Sequence, residues 1–469
     1  MKTISKTISA AIMLAVCPVT PVLADGVTAA DVLRDSIPEH WVLDRQYFQT
    51  TPTDDRWWNA FNDPVLSGLL RRAVGNNFDV VAAQSRIEAA RQTCIAARSG
   101  YYPTVGVSAG WSHDRTVMTG ASGRPTGEEA GYFTLGLTMN WEIDVFGRIA
   151  AQSKADKAAY EASVADYDAT LVSLCANVAK AYFQLRLAQA ELEVAEKTIE
   201  NSEALLNVAK TRYEVGLSPA VDVVQARMVV GETKATVPAL KASVSTSINA
   251  LALLIGEYPD SLADLNEPAP IPTVTAPGVS VNPSALLRRR PDVVKAEKQL
   301  AQAAASVGIA KKDFLPTLSV SAEIGTQAHA LKDLFGAGSL YYSVMPTLSW
   351  TIFDGFARKA KVAEARAQME EEIAQYNQTV MTAVQEVNNA MISWQSVTEQ
   401  AQYHEILLKD AHRILELQTD RYKQGLLDFT DVANAETTVL QYENAVVESK
   451  ASQLAALVTL YAALGGGWE

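Results

Sequence analysis

The sequence predicts a mainly α-helical protein with a membrane β-sheet, built from two similar halves. Two segments, 149–215 and 359–424, contain neither Gly nor Pro and are rich in Ala, Leu, Glu, Gln and Lys. Each predicts a helix of about 65 residues, which spans roughly 100 Å at 1.5 Å per residue. Stretches in which apolar and polar residues alternate precede both segments, and these are typical of strands. Short motifs of the first half recur in the same order in the second half.

The clearest strand signal lies in residues 132–143. Its odd-numbered residues are apolar, from Phe133 to Ile143, whereas its even-numbered residues include Thr134, Thr138 and Asn140. Further strands are predicted at 104–113, 318–324 and 342–352. The stretch 115–131 is rich in Gly, Ser, Thr and Pro, and residues 328–339 separate the last two strands, so both are expected to be loops. Strands of about 9–11 residues are long enough to cross an outer membrane.

The two halves are related by matched blocks. Trp350 corresponds to Trp141 at an offset of 209 residues (350 − 141), and Pro316 corresponds to Pro103 at an offset of 213 residues (316 − 103). Segments 212–217 and 421–426 also match and end the two long helices, with Gly216 as the C-cap of the first.

These signals predict the organisation of the whole chain. Asp63 followed by Pro64 predicts the start of a helix that runs to about Arg98. The Pro-rich stretch between the halves predicts a linker. We therefore divide the chain into a signal peptide (1–24), an extended N-terminal arm (25–56), a first repeat (57–256), a linker (257–283) and a second repeat (284–469).

Composition and targeting signals narrow the class of protein. The chain has 469 residues and a net charge of −13, and this acidic balance argues against a nucleic-acid partner. Lys2 and Lys6 precede an apolar stretch that is too short to span a bilayer, which is typical of a signal sequence. We favour cleavage of the signal sequence after Ala24. The alternative is lipidation of Cys17, because the residues before Cys17 resemble a lipobox. Both routes predict export from the cytoplasm.

The predicted strands set a constraint on assembly. Four strands per chain cannot close a barrel, and open strand edges cannot face lipid. The chain is therefore expected to share a barrel with copies of itself, with its polar strand faces around a water-filled lumen. The aromatic residues near the strand ends would form the belts at the membrane interfaces; they are Tyr101, Tyr102, Trp111, Trp141, Tyr341, Tyr342 and Trp350.

Residues for catalysis are not apparent in the sequence. The five His residues show no metal-ligand spacing with Cys or carboxylates, and neither a phosphate-binding Gly-rich loop nor a nucleophile-elbow motif occurs. We therefore expect neither an enzyme nor a cofactor. Cys94 and Cys175 lie in Ala-rich helical sequence and are interpreted as small buried residues, and the sequence leaves a disulfide between them open.

At this point the chain resembles the TolC/OprM-like outer-membrane efflux proteins, and within them the NodT-type branch. The resemblance covers residues 57–468 and rests on four motifs, at 58–64, 141–148, 287–292 and 464–468. It implies a homotrimer with a shared 12-stranded β-barrel and a long α-helical barrel. It also implies a periplasmic adaptor and an inner-membrane pump of the resistance-nodulation-division (RND) type as partners, with toxic small molecules as substrates.

The resemblance also implies two functional regions. Acidic rings close the periplasmic end in this family, and the matching residues here are Asp428, Asp431 and Asn434. The two turns between the long helices, which should lie at the end farthest from the barrel, are expected to dock the adaptor. The docking residues are Val215, Gly216, Leu217, Ser218, Gly425 and Leu426.

Two other functions share some of these features. The exit duct of a type I protein-secretion system would have the same fold and a different pump. An exported coiled-coil scaffold would share the helices but would not need amphipathic strands. The strand signals favour a channel over a scaffold.

Overall fold

The computed structural model of the chain describes residues 56–119, 125–273, 284 and 286–466, together with residues 32, 33, 38 and 41. The signal peptide and Cys17 lie outside these residues, as do most of the arm and part of the linker. Contacts between residues divide the chain into two units. The first consists of Met1–Asp35, Cys94–Ala158 and Gln299–Asn377, and the second of Ser36–Thr93, Ala159–Lys298 and Gln378–Glu469.

The described elements alternate helices with pairs of strands. In the first half they are a 3-10 turn (Trp57–Phe61), α1 (Pro64–Asn76), α2 (Phe78–Ser99), β1 (Thr104–Thr119), β2 (Pro125–Ile143), α3 (Arg148–Glu214), α4 (Ala220–Leu254) and a 3-10 turn (Pro259–Asn266). In the second half they are α5 (Leu286–Arg289), α6 (Pro291–Lys312), β3 (Thr317–Ala328), a 3-10 turn (Leu331–Asp333), β4 (Leu340–Ser349), α7 (Ala357–Lys423) and α8 (Phe429–Ala463).

Corresponding helices of the two halves have equal lengths. Both α3 and α7 contain 67 residues, both α4 and α8 contain 35, and both α2 and α6 contain 22. This agreement confirms the internal two-fold repeat that the matched motifs predicted. The two long helices begin and end within a few residues of the predicted limits, because Gly at the C-cap and the absence of internal Gly and Pro are strong local signals.

Several predicted boundaries were wrong, since β3 continues to Ala328 and β4 ends at Ser349, and two further differences have clear causes. The helix predicted from Asp63 to about Arg98 is divided at Asn77, whose extended backbone ends α1 and whose side chain accepts hydrogen bonds from the N–H groups of Asp79 (2.8 Å) and Val80 (3.3 Å). The loop predicted at 115–131 is shorter, because β1 continues to Thr119 and β2 begins at Pro125. Polarity misled the second prediction, since this part of the hairpin is polar on both faces.

The four strands form one antiparallel sheet in the order β1-β2-β3-β4. The pairs Thr104↔Asn140, Asn140↔Ser321 and Thr317↔Ser349 define the register of its three ladders. Within the described residues β1 and β4 each have a single neighbour, so both lie at edges of the sheet. Pro346, which lacks a backbone N–H, lies in β4 opposite Val320 of β3.

The sheet exposes its apolar face. Val107, Leu137 and Ile324 are neighbours across three strands of this face, and all three are exposed. On the polar face, Thr138 is opposite both Gly106 and Glu323, and the Tyr341 hydroxyl donates a hydrogen bond to Glu323 at 2.6 Å. A soluble sheet would cover its apolar face, so this arrangement agrees with a sheet that faces lipid on one side.

Capping side chains join the sheet to the long helices. Asp144 accepts hydrogen bonds from the N–H groups of Ile149 (3.1 Å) and Ala150 (2.9 Å), which begin α3. In the second half Asp354 accepts from the N–H of Arg358 at 3.2 Å. The indole N–H groups of Trp141 and Trp350 donate to the carbonyls of Tyr101 and Phe314, each at 3.0 Å. The 141–148 motif is therefore a strand-to-helix junction that both halves share.

The main core lies in the second unit and combines the middle of α3 and α7 and the C-terminal ends of α4 and α8 with the segment around Trp57. Cys175 is buried there, and burial raises the pKa of its thiol to about 12. Cys94 and Cys175 are not joined in a disulfide. Arg290 is buried and bound to Asp292 and Glu386, which gives it a structural role.

Of the described helices only α4 is apolar enough to span a membrane, but it packs against α8.

Substitution of Leu137 by Arg tests which face of the sheet contacts lipid. Because Leu137 lies midway between Phe133 and Trp141, a charge there should destabilise the folded protein by about 2–4 kcal/mol. The matched variant Thr138→Arg places the same charge on the opposite face, next to Glu323, and should be tolerated better. Denaturant unfolding in lipid vesicles measures both effects, and equal losses would contradict the assignment of the two faces.

Candidate gate and docking surface at the helical tips

Two turns of the same design connect the long helices within the second unit. The first (tip 1, residues 215–219) joins α3 to α4, and the second (tip 2, residues 424–428) joins α7 to α8. Gly216 and Gly425 both have φ +77°. The N–H of Leu217 bonds to the Arg212 carbonyl at 2.8 Å, and that of Leu426 bonds to the Arg421 carbonyl at 2.9 Å. These are Schellman caps, which require a left-handed residue and therefore favour glycine.

The residues predicted to dock a partner lie on the surface of the tips. Val215, Gly216, Gly425 and Leu426 are exposed, as is Leu217, while Ser218 is half-buried. Leu217 is 66% exposed and Leu426 is 61% exposed. Large apolar side chains at the apex of a turn contribute nothing to the fold when they are exposed, which makes them candidates for contact with another protein.

A small core joins the two tips. Tyr422, the last but one residue of α7, is 1% exposed and packs edge-on against Phe429, with 5.5 Å between the ring centroids. Its hydroxyl donates a hydrogen bond to the carboxylate of Asp222 in the first turn of α4, at 3.1 Å. Burial and the negative charge of Asp222 raise the pKa of Tyr422. We call the Tyr422–Asp222 pair the latch, because it links the first helical hairpin to the second.

Arg212, in the last turn of α3, reinforces the latch. Its guanidinium lies 4.8 Å from the centroid of the Tyr422 ring. The same group donates to the carbonyl of Lys423 at 2.7 Å and to that of Leu217 at 3.1 Å. A cation at the C-terminus of α7 satisfies a carbonyl that the helix leaves unpaired and is favoured by the helix dipole.

The predicted gate residues lie beside the latch. Asp428 is the N-cap of α8, but its side chain makes no capping hydrogen bond. Asp431 lies half-buried in the first turn, and Asn434 lies exposed one turn further. In the part of the chain that the structure describes, the carboxylates of Asp428 and Asp431 form no hydrogen bond or ion pair, so the structure does not bring these residues together with a partner. Their role as a gate stays a prediction.

The latch was missed by the sequence analysis, although the repeat contained a signal for it. Tyr213 and Asp431 occupy the positions of Tyr422 and Asp222 in the other repeat, at the offset of 209 (422 − 213 and 431 − 222). Tyr213 is 50% exposed, whereas Tyr422 is buried. Of the two corresponding pairs, only Tyr422 with Asp222 forms the latch, and Tyr213 with Asp431 does not. The presence of Tyr and Asp in both repeats therefore does not identify the pair that forms.

A buried carboxyl group lies further along α8. Glu436 is 4% exposed, its Oε2 atom has no protein partner, and its Oε1 atom contacts the hydroxyl of Ser202 in α3. Ser202 already donates its one hydrogen to the carbonyl of Thr198 at 2.8 Å. The Glu436 contact is therefore satisfied when the carboxyl is protonated and donates to Ser202. Burial raises the pKa of Glu436, in the direction that favours the protonated carboxyl.

Glu436→Gln tests whether this carboxyl is neutral. Because the folded state binds the proton more tightly than the unfolded state, the wild type should lose stability as the pH rises above the pKa of an unfolded Glu. The amide remains neutral, so the variant should melt at a higher temperature than the wild type at pH 7.5, and the difference should shrink towards pH 4. Glu203→Gln, at an exposed ion pair with Lys234, is the control. A variant that is less stable at every pH would contradict a neutral Glu436.

Comparisons with known proteins agree with this architecture. The family model described as "Outer membrane efflux protein" matches residues 69–257 and 282–466. The pyoverdine export outer membrane protein OpmQ of Pseudomonas aeruginosa is 28% identical to the chain, covering 100% of this chain and 98% of its own. The toluene efflux pump outer membrane protein TtgF of Pseudomonas putida is 30% identical over 90% of this chain and 87% of its own.

A solved structure extends the likeness to three dimensions. The outer-membrane channel OprN has a TM-score of 0.86 and 29% identity, covering 93% of this chain and 98% of that one. The strand pairs and the long helical hairpins lie within the residues that the family model matches. The chain belongs to the outer membrane efflux protein family and is an outer-membrane efflux channel with the TolC-like fold.

Proposed function

We propose that three copies of the chain form a passive exit duct that carries toxic small molecules from a periplasmic adaptor and an RND pump to the exterior. The observation that supports the trimer most directly is the four-stranded sheet with two free edges and an exposed apolar face. A backbone edge that faces lipid leaves its N–H and C=O groups unpaired, so further strands must cover it. Three copies supply 12 strands, enough for a closed barrel with a polar lumen.

The latch supports a closed resting state of the helical tips. Tyr422 and Asp222 belong to different helical hairpins, so the hairpins cannot separate while this hydrogen bond and the Arg212 contacts persist. The adaptor would open the duct by binding the tips better when they are apart, because a ligand shifts an equilibrium only through a difference in affinity. The pump would supply the energy, and the channel would only change between its closed and open states.

Asp428 and Asp431 would add a selectivity ring to this closed state. In a trimer each carboxylate occurs three times around one axis, and a narrow ring of carboxylates favours cations. Asn434 would contribute polar but uncharged groups one turn further along α8. The absence of an intrachain partner for either Asp, within the described residues, leaves both carboxylates available to face the axis.

Removal of the latch should open the channel. Tyr422→Phe deletes the hydroxyl and retains the ring, and a hydrogen bond to a charged group is worth about 1.5–3 kcal/mol. The open state should therefore become at least roughly tenfold more populated, the effect of losing one such bond, and more populated still if all three latches of a trimer must break together. Single-channel recording in planar bilayers measures the change, and Asp222→Asn should act in the same direction.

The repeat provides a control for the latch. Tyr213→Phe makes the same change at the corresponding but exposed residue and should leave the closed state unaltered. An equal effect of both substitutions, or no effect of Tyr422→Phe, would count against the latch. Asp431→Ala should instead reduce the preference for cations, and unchanged selectivity of the Asp428→Ala/Asp431→Ala double variant would refute the ring.

Adaptor docking is best tested at the exposed leucines. Tryptophan at Gly216 or Gly425 would strain a Schellman cap, so a loss of function there would not distinguish docking from folding. Leu217→Asp and Leu426→Asp retain the caps, and both should abolish resistance to exported compounds while the trimer still assembles. The matched control is Leu253→Asp, at a leucine in α4 that lies away from the tips and is 78% exposed. Normal resistance in both tip variants would exclude docking at these leucines.

A further inference from the structure

The free edges of the sheet raise the question of how one copy pairs with the next. The internal repeat answers it, because the two hairpins of the sheet have the same register. A β1 residue corresponds to the β3 residue at an offset of 213, and a β2 residue corresponds to the β4 residue at an offset of 209. Applied as a rule to the observed pair Thr104↔Asn140, these offsets predict the pair Thr317↔Ser349, which the structure contains.

The rule also holds elsewhere in the hairpins. It carries Gly110↔Thr134 to Glu323↔Ser343, which is again an observed pair. The tryptophan contacts at the base of the sheet follow it as well, since the Trp141–Tyr101 and Trp350–Phe314 hydrogen bonds occupy corresponding positions at equal distances of 3.0 Å. The two hairpins are therefore equivalent in register as well as in sequence.

We infer that the edge strand β4 of one copy pairs antiparallel with β1 of the next copy in the register of the internal β2–β3 ladder. This inference rests on the proposed trimer and specifies its interface. The rule carries Asn140↔Ser321 to Ser349↔Ser108, and it carries Gly136↔Gly325 to Met345↔Ser112. The 10 residues of β4 then pair with residues 108–117 of the neighbouring β1.

The side chains fit this register. Ser349 lies opposite Ser108, and Thr347 lies opposite Gly110, so polar residues meet on the lumen face. On the other face Leu348 lies opposite Ala109. A slip of one residue would turn one strand over and bring polar residues against apolar ones, so the pattern excludes it. A slip of two residues keeps every side chain on the same face of the sheet, so the polar pattern does not exclude it. Among these registers, the internal repeat selects the one inferred here.

Cysteines introduced in place of serines on β1 and β4 test the register. We would replace Cys94 and Cys175 by Ala and then introduce either Ser108→Cys with Ser349→Cys or Ser112→Cys with Ser349→Cys. The first pair is directly opposed in the inferred register. The second is displaced by four residues, about 13 Å along the strand, beyond the reach of a disulfide. Asn140→Cys with Ser321→Cys, the corresponding pair inside one chain, controls for oxidation at this position of the sheet.

The expected result is that mild oxidation converts the Ser108→Cys/Ser349→Cys protein into covalent dimers and trimers on non-reducing gels. The displaced pair and each single variant should remain monomeric. Cross-linking of the displaced pair, or of neither pair in protein that is trimeric by native mass spectrometry, would overturn the register and leave the trimer intact. A monomeric or differently sized assembly of the unmodified protein in detergent would instead overturn the proposed trimer.

Discussion

The hydrogen-bonding requirement of the backbone in lipid is the constraint on which the rest of the structure depends. A bilayer offers no water to N–H and C=O groups, so every strand at its depth needs a neighbour on both sides. Here β1 and β4 lack the second neighbour within the described chain, and the apolar face between them is exposed. The need for other copies, and for a closed barrel around a lumen, follows from these two unpaired edges.

Much of this fold could be predicted because its signals are local and repeated. Period-two alternation, Gly at the C-caps and long stretches without Gly or Pro predicted the strands, the tips and the long helices. The break at Asn77 was missed although Gly75 and Asn76 beside it are turn-type residues, and the Asn77 side chain caps the helix that follows. The extended hairpin at 115–131 was missed because Arg115 and Glu129 pair across strands at 3.5 Å, where composition alone predicts a loop.

The candidate site was predictable only in part. The tips and their glycines follow from helix chemistry, whereas the latch depends on which of two equivalent tyrosines becomes buried. Tyr213 and Tyr422 share the Arg before them and the Gly-Leu that follows, but Phe429 packs on Tyr422 whereas the residue at the corresponding position of the other repeat is Ala220. Glu436 could not be predicted either, because its burial depends on the contact with Ser202, 234 residues away in the chain.

The occurrence of a single latch per chain has an energetic consequence for an assembly of three. If all three hydrogen bonds must break together, spontaneous opening would cost roughly 4.5–9 kcal/mol, three times the value for one bond to a charged group. Only about one duct in 10³ to 10⁶ would then be open at rest. An outer membrane could hold many such ducts without becoming leaky, while a partner that contacts all three subunits would gather enough binding energy to open one.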